Sequence, residues 1–273
     1  MDLHRVDTYL RPQTLDDVVN WQPNWAWLAG GTWLFTEPQP QLSTLVDMQP
    51  LGWDELTMSE DGLAIGAMCV MKRLLNCNAP ADWFGMAALR QGVHELASFK
   101  VQNVATVAGN LCLALPAGTF APVMMLLEAE YELLPLNDAS YRVPAASFQT
   151  GAKQTRLQPG EVLRTIYIPA RSLQWHTSYH RICLASAGLA IAIVTAAYDP
   201  DQQQVRFCIG AAAGKPYLIT ADGIPHSDQL GDLLDAQLPR DAYLTDVCAS
   251  ADYRRHVTEV LMQRSLSDLL IPQ

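Results

Sequence analysis

The sequence predicts an α+β fold: two α/β lobes, followed by a C-terminal domain in which an antiparallel sheet is backed by helices. Three observations carry this. Apolar runs of strand length alternate with short helical patterns as far as Pro169, three strand-like runs then follow one another, and from Ser227 onward the pattern is helical. The division this suggests is 1–55 and 56–169 for the lobes and 170–273 for the last domain, its boundary marked by a change of composition over residues 169–176.

In chain order, Thr14-Leu15-Asp16-Asp17 has the form of a capping box and predicts a short helix through residue 22. Residues 25–29 form a buried strand running into the Gly30-Gly31 turn, and 44–47 a second strand. In the second lobe Leu63, Ile65 and Ala67 alternate as a strand does, 71–75 make a helical turn, and 82–96 an amphipathic helix with Phe84, Ala87, Ala88 and Val93 on its apolar face. A loop is expected over 105–110, then a helix over 121–129 entered through Pro122, a residue tolerated in a first turn. Residues 131–134, 141–143 and 162–168 supply further strands.

The last domain should hold strands at 180–184, 188–198 and 204–211, the latter two joined by the turn Asp199-Pro200-Asp201. A closing helix over 252–270 carries Val257, Val260, Leu261, Leu266, Leu269 and Leu270 as one stripe.

Composition narrows the function. The chain has 273 residues, 49% hydrophobic and 17% charged, enough for a large core. Its net charge of -10, without a basic patch, argues against nucleic acid or an anionic membrane as partner. No run approaches the roughly 18 apolar residues of a membrane helix, and the start, Met1-Asp2-Leu3-His4-Arg5, is not a signal peptide, so a cytoplasmic protein is expected. The six cysteines lie far apart with no CxxC spacing; they are expected to be core thiols, with no iron-sulfur cluster and no metal site.

Two stretches point to chemistry. Leu28-Ala29-Gly30-Gly31-Thr32 and Ala105-Thr106-Val107-Ala108-Gly109-Asn110 put small residues where an apolar run gives out. Bare backbone N–H groups can approach a phosphate there without spending positive charge. Gly210-Ala211-Ala212-Ala213-Gly214-Lys215-Pro216 imitates a P-loop but is one residue short, with Pro216 where Mg²⁺ binding needs Ser or Thr. His176 and His180 would be roughly 13 Å apart in a strand, too far to share a metal.

The two small-residue stretches, with the continuation Leu115-Pro116-Ala117-Gly118-Thr119-Phe120-Ala121-Pro122 and Leu126-Leu127-Glu128-Ala129, resemble the FAD-binding medium subunits of the molybdenum hydroxylases, the xanthine dehydrogenase and carbon monoxide dehydrogenase family. The likeness extends to Gly160-Glu161-Val162-Leu163 and to Tyr253-Arg254-Arg255-His256 with Leu261, so it spans nearly the whole chain. It implies a PCMH-type FAD-binding fold with FAD held between the two N-terminal lobes. Ala29, Gly30, Gly31, Thr32 and Trp33, with Thr106, Ala108, Gly109 and Asn110, would hold the pyrophosphate. Thr119 would meet the ribityl or ribose region, and Leu163 and Arg181 the flavin edge.

Several positions depart from the family pattern. Trp33 and Thr119 stand where it has Asp, Ala108 where it has Gly, Leu115 where it has Ser, Arg181 where it has Lys and Leu184 where it has Arg. The extra methyl of Ala108 or the missing acceptor at Thr119 would each weaken binding by about 1–2 kcal/mol, the scale of a lost hydrogen bond.

The resemblance implies an electron-transfer subunit working with a molybdopterin-binding large subunit and an iron-sulfur small subunit, and delivering electrons to NAD or another acceptor. No residue is assigned as acid, base or nucleophile. A flavin-poor scaffold docking the partner chains, and a self-contained flavoprotein reductase, are the competing readings.

Overall fold

The computed structural model describes residues 3–96, 98–185 and 188–270; the remaining residues of the units 1–55, 56–169 and 170–273 lie outside the described residues. Three short strands open the chain: β1 (Thr8–Leu10), β2 (Trp25–Leu28) and β3 (Thr44–Asp47). They form a parallel sheet in the order β1-β3-β2. Central β3 is buried throughout, and Leu28, Leu42 and Leu45 make a small core beneath Leu34 and Phe35. The capping box forms, with the Thr14 amide donating to Asp17 Oδ2 at 2.9 Å, but the expected helix to residue 22 is one 3₁₀ turn over Leu15–Asp17. Asn20 takes a left-handed φ of 57°, which ends any helix there.

The second unit is a five-stranded antiparallel sheet of β4 (Leu56–Ser59), β5 (Gly62–Gly66), β6 (Glu130–Leu134), β7 (Tyr141–Pro144) and β10 (Val162–Pro169), ordered β4-β5-β10-β6-β7. A hairpin of β8 (Gln149–Gly151) and β9 (Gln154–Thr155) precedes β10. Its helices are α1 (Lys72–Asn76), α2 (Met86–His94), α3 (Phe99–Gln102), α4 (Val107–Leu113), α5 (Ala121–Leu126) and α6 (Ala170–Leu173).

Two expectations change here. Helix α2 is shorter than 82–96, and Phe84 and Ala87 are exposed; the buried face is Met86, Ala88, Leu89, Gly92 and Val93, so Ala88 and Val93 lie where expected. Residues 106–110 are no loop: Thr106 caps α4, and the rest of the stretch is its first turn.

The third unit is the antiparallel meander β11 (Thr177–Cys183), β12 (Ala190–Asp199), β13 (Gln204–Gly210) and β14 (Tyr217–Asp222), with α7 (Leu230–Gln237) and α8 (Ala251–Leu270) behind it. Val205, Phe207 and Ile209 face these helices, while Cys208 turns to the core of the second unit. Both faces are therefore covered, which explains why β12 is an unbroken apolar run. Gly210 lets Pro122 of α5 approach this sheet, since a Cβ there would stand 3.0 Å from the proline ring; the P-loop-like stretch is a packing joint.

The buried stripe of α8 includes Arg254, Thr258, Met262 and Ser265 along with Val257, Leu261 and Leu266, whereas Leu270 of the expected stripe is exposed. Arg254, 2% exposed, donates from Nη1 to the carbonyls of Ile191 at 2.6 Å and Ala211 at 3.1 Å, and from Nη2 to Asp246 Oδ2 at 2.7 Å. It ties the helix to the start of β12 and the turn after β13. Arg254→Met should lower unfolding free energy by roughly 3 kcal/mol, because two buried carbonyls lose a charged donor; urea denaturation measures it.

Asp235 of α7 is held below the usual carboxylate range by hydrogen bonds from Arg255 and also from Arg240. A carboxyl whose folded pKa is depressed contributes stability above its unfolded value of 3.8, and loses it as pH falls through the lower folded value. Asp235→Asn should therefore flatten the stability curve below about pH 4, visible as a smaller loss of melting temperature on acidification than in the parent chain.

Candidate functional site

The two small-residue stretches meet. Gly30 follows β2 directly against the segment that leads into α4: a Cβ at this position would stand 2.8 Å from the Val104 carbonyl carbon, closer still to its oxygen, and 3.2 Å from Ala105 Cα. Only glycine permits this approach. Gly31 then turns through a left-handed φ of 66°, and a Cβ there would strike the Phe35 ring. Ala29, Thr32 and Trp33 are partly exposed around the turn. The Trp33 ring has Lys153 Nζ 5.7 Å from its centroid, linking the turn to the β8–β9 hairpin.

A second tie fixes the same pair of units. Trp21 stacks on Trp27 at 4.9 Å, and Trp27 Nε1 donates to the Gly160 carbonyl at 3.2 Å. Gly160 itself has φ 85°, and a Cβ on it would lie 3.2 Å from Trp21 Cγ. These tryptophans are interface residues.

On the other side of the contact, Thr106 Oγ1 accepts from the Gly109 amide at 3.0 Å and closes the first turn of α4. A Cβ on Gly109 would sit 2.8 Å from that oxygen, so glycine keeps the cap compact. Gly109 and Asn110 are partly exposed. The Asn110 side-chain oxygen stands 3.5 Å from the Phe120 amide and would be the same distance from a Cβ on Gly118, so it braces the 115–119 segment. Ala108 is 3% exposed and its methyl packs in the core, which corrects the expectation that it crowds a phosphate.

The 115–119 segment is wedged between α2 and the last sheet. The Thr119 carbonyl would be 3.5 Å from a Cβ on Gly92, and the Pro116 carbonyl accepts from the Ala211 amide at 2.8 Å. Thr119 is 3% exposed, and its Oγ1 finds no hydrogen-bond partner among the described residues. A buried hydroxyl left in this way costs free energy and marks a place where a polar group of a ligand fits.

Leu163 is 1% exposed and its side chain is in the core; what it can offer a ligand is backbone, at the bulge between Leu163 and Thr165. Arg181 lies on β11, ion-paired to Glu95 at the end of α2, with Nη1 also donating to the Gly188 carbonyl at 3.1 Å. Gln91 holds the other oxygen of Glu95 at 2.8 Å. Sequence reasoning missed Val104, Gly92 and Glu95. An isolated glycine inside a helical pattern signals a close approach at Gly92; nothing comparable marks the other two.

The remaining candidates resolve simply. His176 stacks on Phe84 at 4.1 Å, and His180 Nε2 pairs with Asp268 at 2.7 Å. Among the described residues no group of three His, Cys, Asp or Glu is placed to hold a metal, and no helix is long and apolar enough to cross a membrane. Burial pushes the Cys69 thiol up to about 11 and Cys112 to about 12; Cys69 and Cys208 are core thiols as expected, whereas Cys77, Cys112 and Cys183 are only partly buried and Cys248 is exposed.

Residues 4–171 match the family model described as the FAD binding domain in molybdopterin dehydrogenase. The chain belongs to that family. Among its relatives, the putative xanthine dehydrogenase FAD-binding subunit XdhB of Escherichia coli K12 is 24% identical over 280 residues, covering 96% of this chain and 95% of that one. The xanthine dehydrogenase of Oryza sativa is 26% identical over 159 residues, which cover 50% of this chain and only 11% of the longer enzyme. The reconstituted CO dehydrogenase from Oligotropha carboxidovorans has a chain that superposes with a TM-score of 0.83 at 20% identity, covering 96% of each chain, and shows the same fold. The family's cofactor is FAD, and the orphan hydroxyl of Thr119 and the glycine contact at Gly30 suit such a ligand.

If the approach of Gly30 to Val104 holds the two units in register, Gly30→Ala should cost roughly 2 kcal/mol or more through overpacking against backbone. The midpoint of urea unfolding measures this, and an unchanged midpoint would mean that the contact is slack.

Proposed function

We propose that this chain is the FAD-carrying subunit of a multi-subunit molybdenum hydroxylase. It would receive electrons from an iron-sulfur small subunit fed by a molybdopterin-binding large subunit, and deliver them to NAD or another acceptor. The observation that carries this is the joining of the two phosphate-type stretches at the Gly30–Val104 contact; Thr119, farther along the chain, adds a buried hydroxyl that lacks a partner among the described residues. When bound, FAD supplies the electron-transfer chemistry.

The chain's own residues bind and orient. The turn from Ala29 to Trp33 would take the pyrophosphate through backbone amides, and the first turn of α4, through Thr106, Ala108, Gly109 and Asn110, would border it, the Gly109 and Asn110 amides being held already by Thr106. This is the arrangement an acidic protein needs for a dianion. Thr119 would hydrogen-bond the ribityl or ribose part. Leu163 through its backbone, and Arg181 with its charge shared by Glu95, would border the flavin. In this reading 1–55 and 56–169 form the two walls of the site. The remainder, 170–273, closes it and faces the partner chains, in a complex of the cytoplasm.

The full chain, purified alone or within its complex, should show the visible bands of an oxidised flavin and release FAD on acid treatment. A colourless complex of intact stoichiometry that takes up no added FAD would instead favour a scaffold that docks the partner chains.

A further inference from the structure

Strand β11 carries a second buried hydroxyl of the same kind as Thr119. Tyr179 Oη is sealed from solvent and finds no hydrogen-bond partner among the described residues. Tyr179 shares a face of β11 with Arg181, two residues on, which reaches Glu95 at the end of α2. Glu95 and Arg181 are also the charges that bear on its phenol. Tyr179 packs against the buried cluster of Ala190, Ile193 and Ala211, on which Ala117 also packs, and against the core of the second unit. It therefore lies in the wedge bounded by the last turn of α2, the 115–119 segment and β11. That wedge also contains Thr119, whose carbonyl lies against Gly92 one turn before Glu95.

We propose that Tyr179 is a further cofactor-contacting residue, whose hydroxyl donates a hydrogen bond to an acceptor on the flavin half of FAD within this wedge. The inference rests on the flavin reading above and deepens it. A tyrosine hydroxyl is both donor and acceptor, and buried ones find a partner in nearly all folded proteins. Leaving two of them unpaired in one wedge costs the empty chain free energy that a polar ligand can restore. Burial holds the Tyr179 phenol far above its ordinary pKa, so it stays protonated and able to donate at any working pH.

The test is Tyr179→Phe in the full chain, which keeps the ring and removes only the oxygen. Two quantities are read: the dissociation constant of FAD, and the melting temperature of the chain stripped of FAD. The expected result is a dissociation constant raised roughly five- to tenfold, on the scale of one hydrogen bond. The melting temperature of the stripped chain should stay the same or rise, since an unpaired hydroxyl has been removed from the interior. FAD affinity within twofold of the parent would overturn the proposal and leave the flavin reading standing. A lowered melting temperature of the stripped chain, with affinity falling in step, would also overturn it, because the hydroxyl would then have a partner inside the protein. A parent chain that takes up no FAD at all would overturn the flavin reading and this inference together.

Discussion

The approach of Gly30 to the Val104 carbonyl is the constraint on which the rest of the architecture depends. A parallel sheet of three short strands has little core of its own: Leu28, Leu42 and Leu45 form one small cluster, and Val46 is buried with them in β3. It is held by what it touches, and two of its contacts with the second unit are the glycine turn and the Trp27–Gly160 hydrogen bond. Both depend on glycine, once for space and once for a left-handed backbone. Fixing these two points fixes the distance between the Gly31 turn and the first turn of α4, the distance a pyrophosphate would have to match.

The same economy governs the far side of the site. The 115–119 segment has no regular structure, yet it is held by a carbonyl against Gly92, a carbonyl on the Ala211 amide, and the Asn110 side chain. Its shape is thus set by three elements, α2, α4 and the turn after β13. The last sheet is essential to the site although it contributes few of the predicted cofactor residues. Without Ala211 and the Gly210 joint to Pro122, this segment would lose one of its three supports.

Glycine and proline positions made two local features legible in the sequence. The Gly30-Gly31 turn and the helix entry through Pro122 depend on what these small or restricted residues permit, and each is where it was expected. Less visible was the state of the second stretch. Thr106-Val107 is β-branched and two of the next three residues are small, so nothing in its periodicity announces a helix; the cap from Thr106 to Gly109 decides it. Hydrophobic spacing failed for a different reason in α8. There Arg254, Thr258 and Ser265 occupy buried positions of the stripe, and a pattern that counts apolar residues assigns them to the surface. In α2 the same method favoured Phe84, whose ring is half exposed and stacked on His176, over Gly92, whose missing side chain is its contribution.

Charge explains why the proposed site would use backbone where other proteins use cations. The chain has 18 Lys and Arg against 28 Asp and Glu, and several arginines, buried Arg254 and Arg206 among them, are spent on internal ties. Arg254 joins α8 to the sheet and Asp246, Arg206 and Arg171 share Glu128 across the second and third units, and Arg255 links α8 to Asp235 of α7. Arg181, the cation predicted for the flavin edge, is itself met by Glu95. A guanidinium can do this because its planar fork serves two acceptors at once, here a carboxylate and the Gly188 carbonyl, which a lysine ammonium at this position would reach as a single point. The positive charge beside the site is thereby largely cancelled. What remains to hold an anionic cofactor is shape, amide dipoles and unpaired hydroxyls, whose strength comes from being fixed in advance by the glycine contacts.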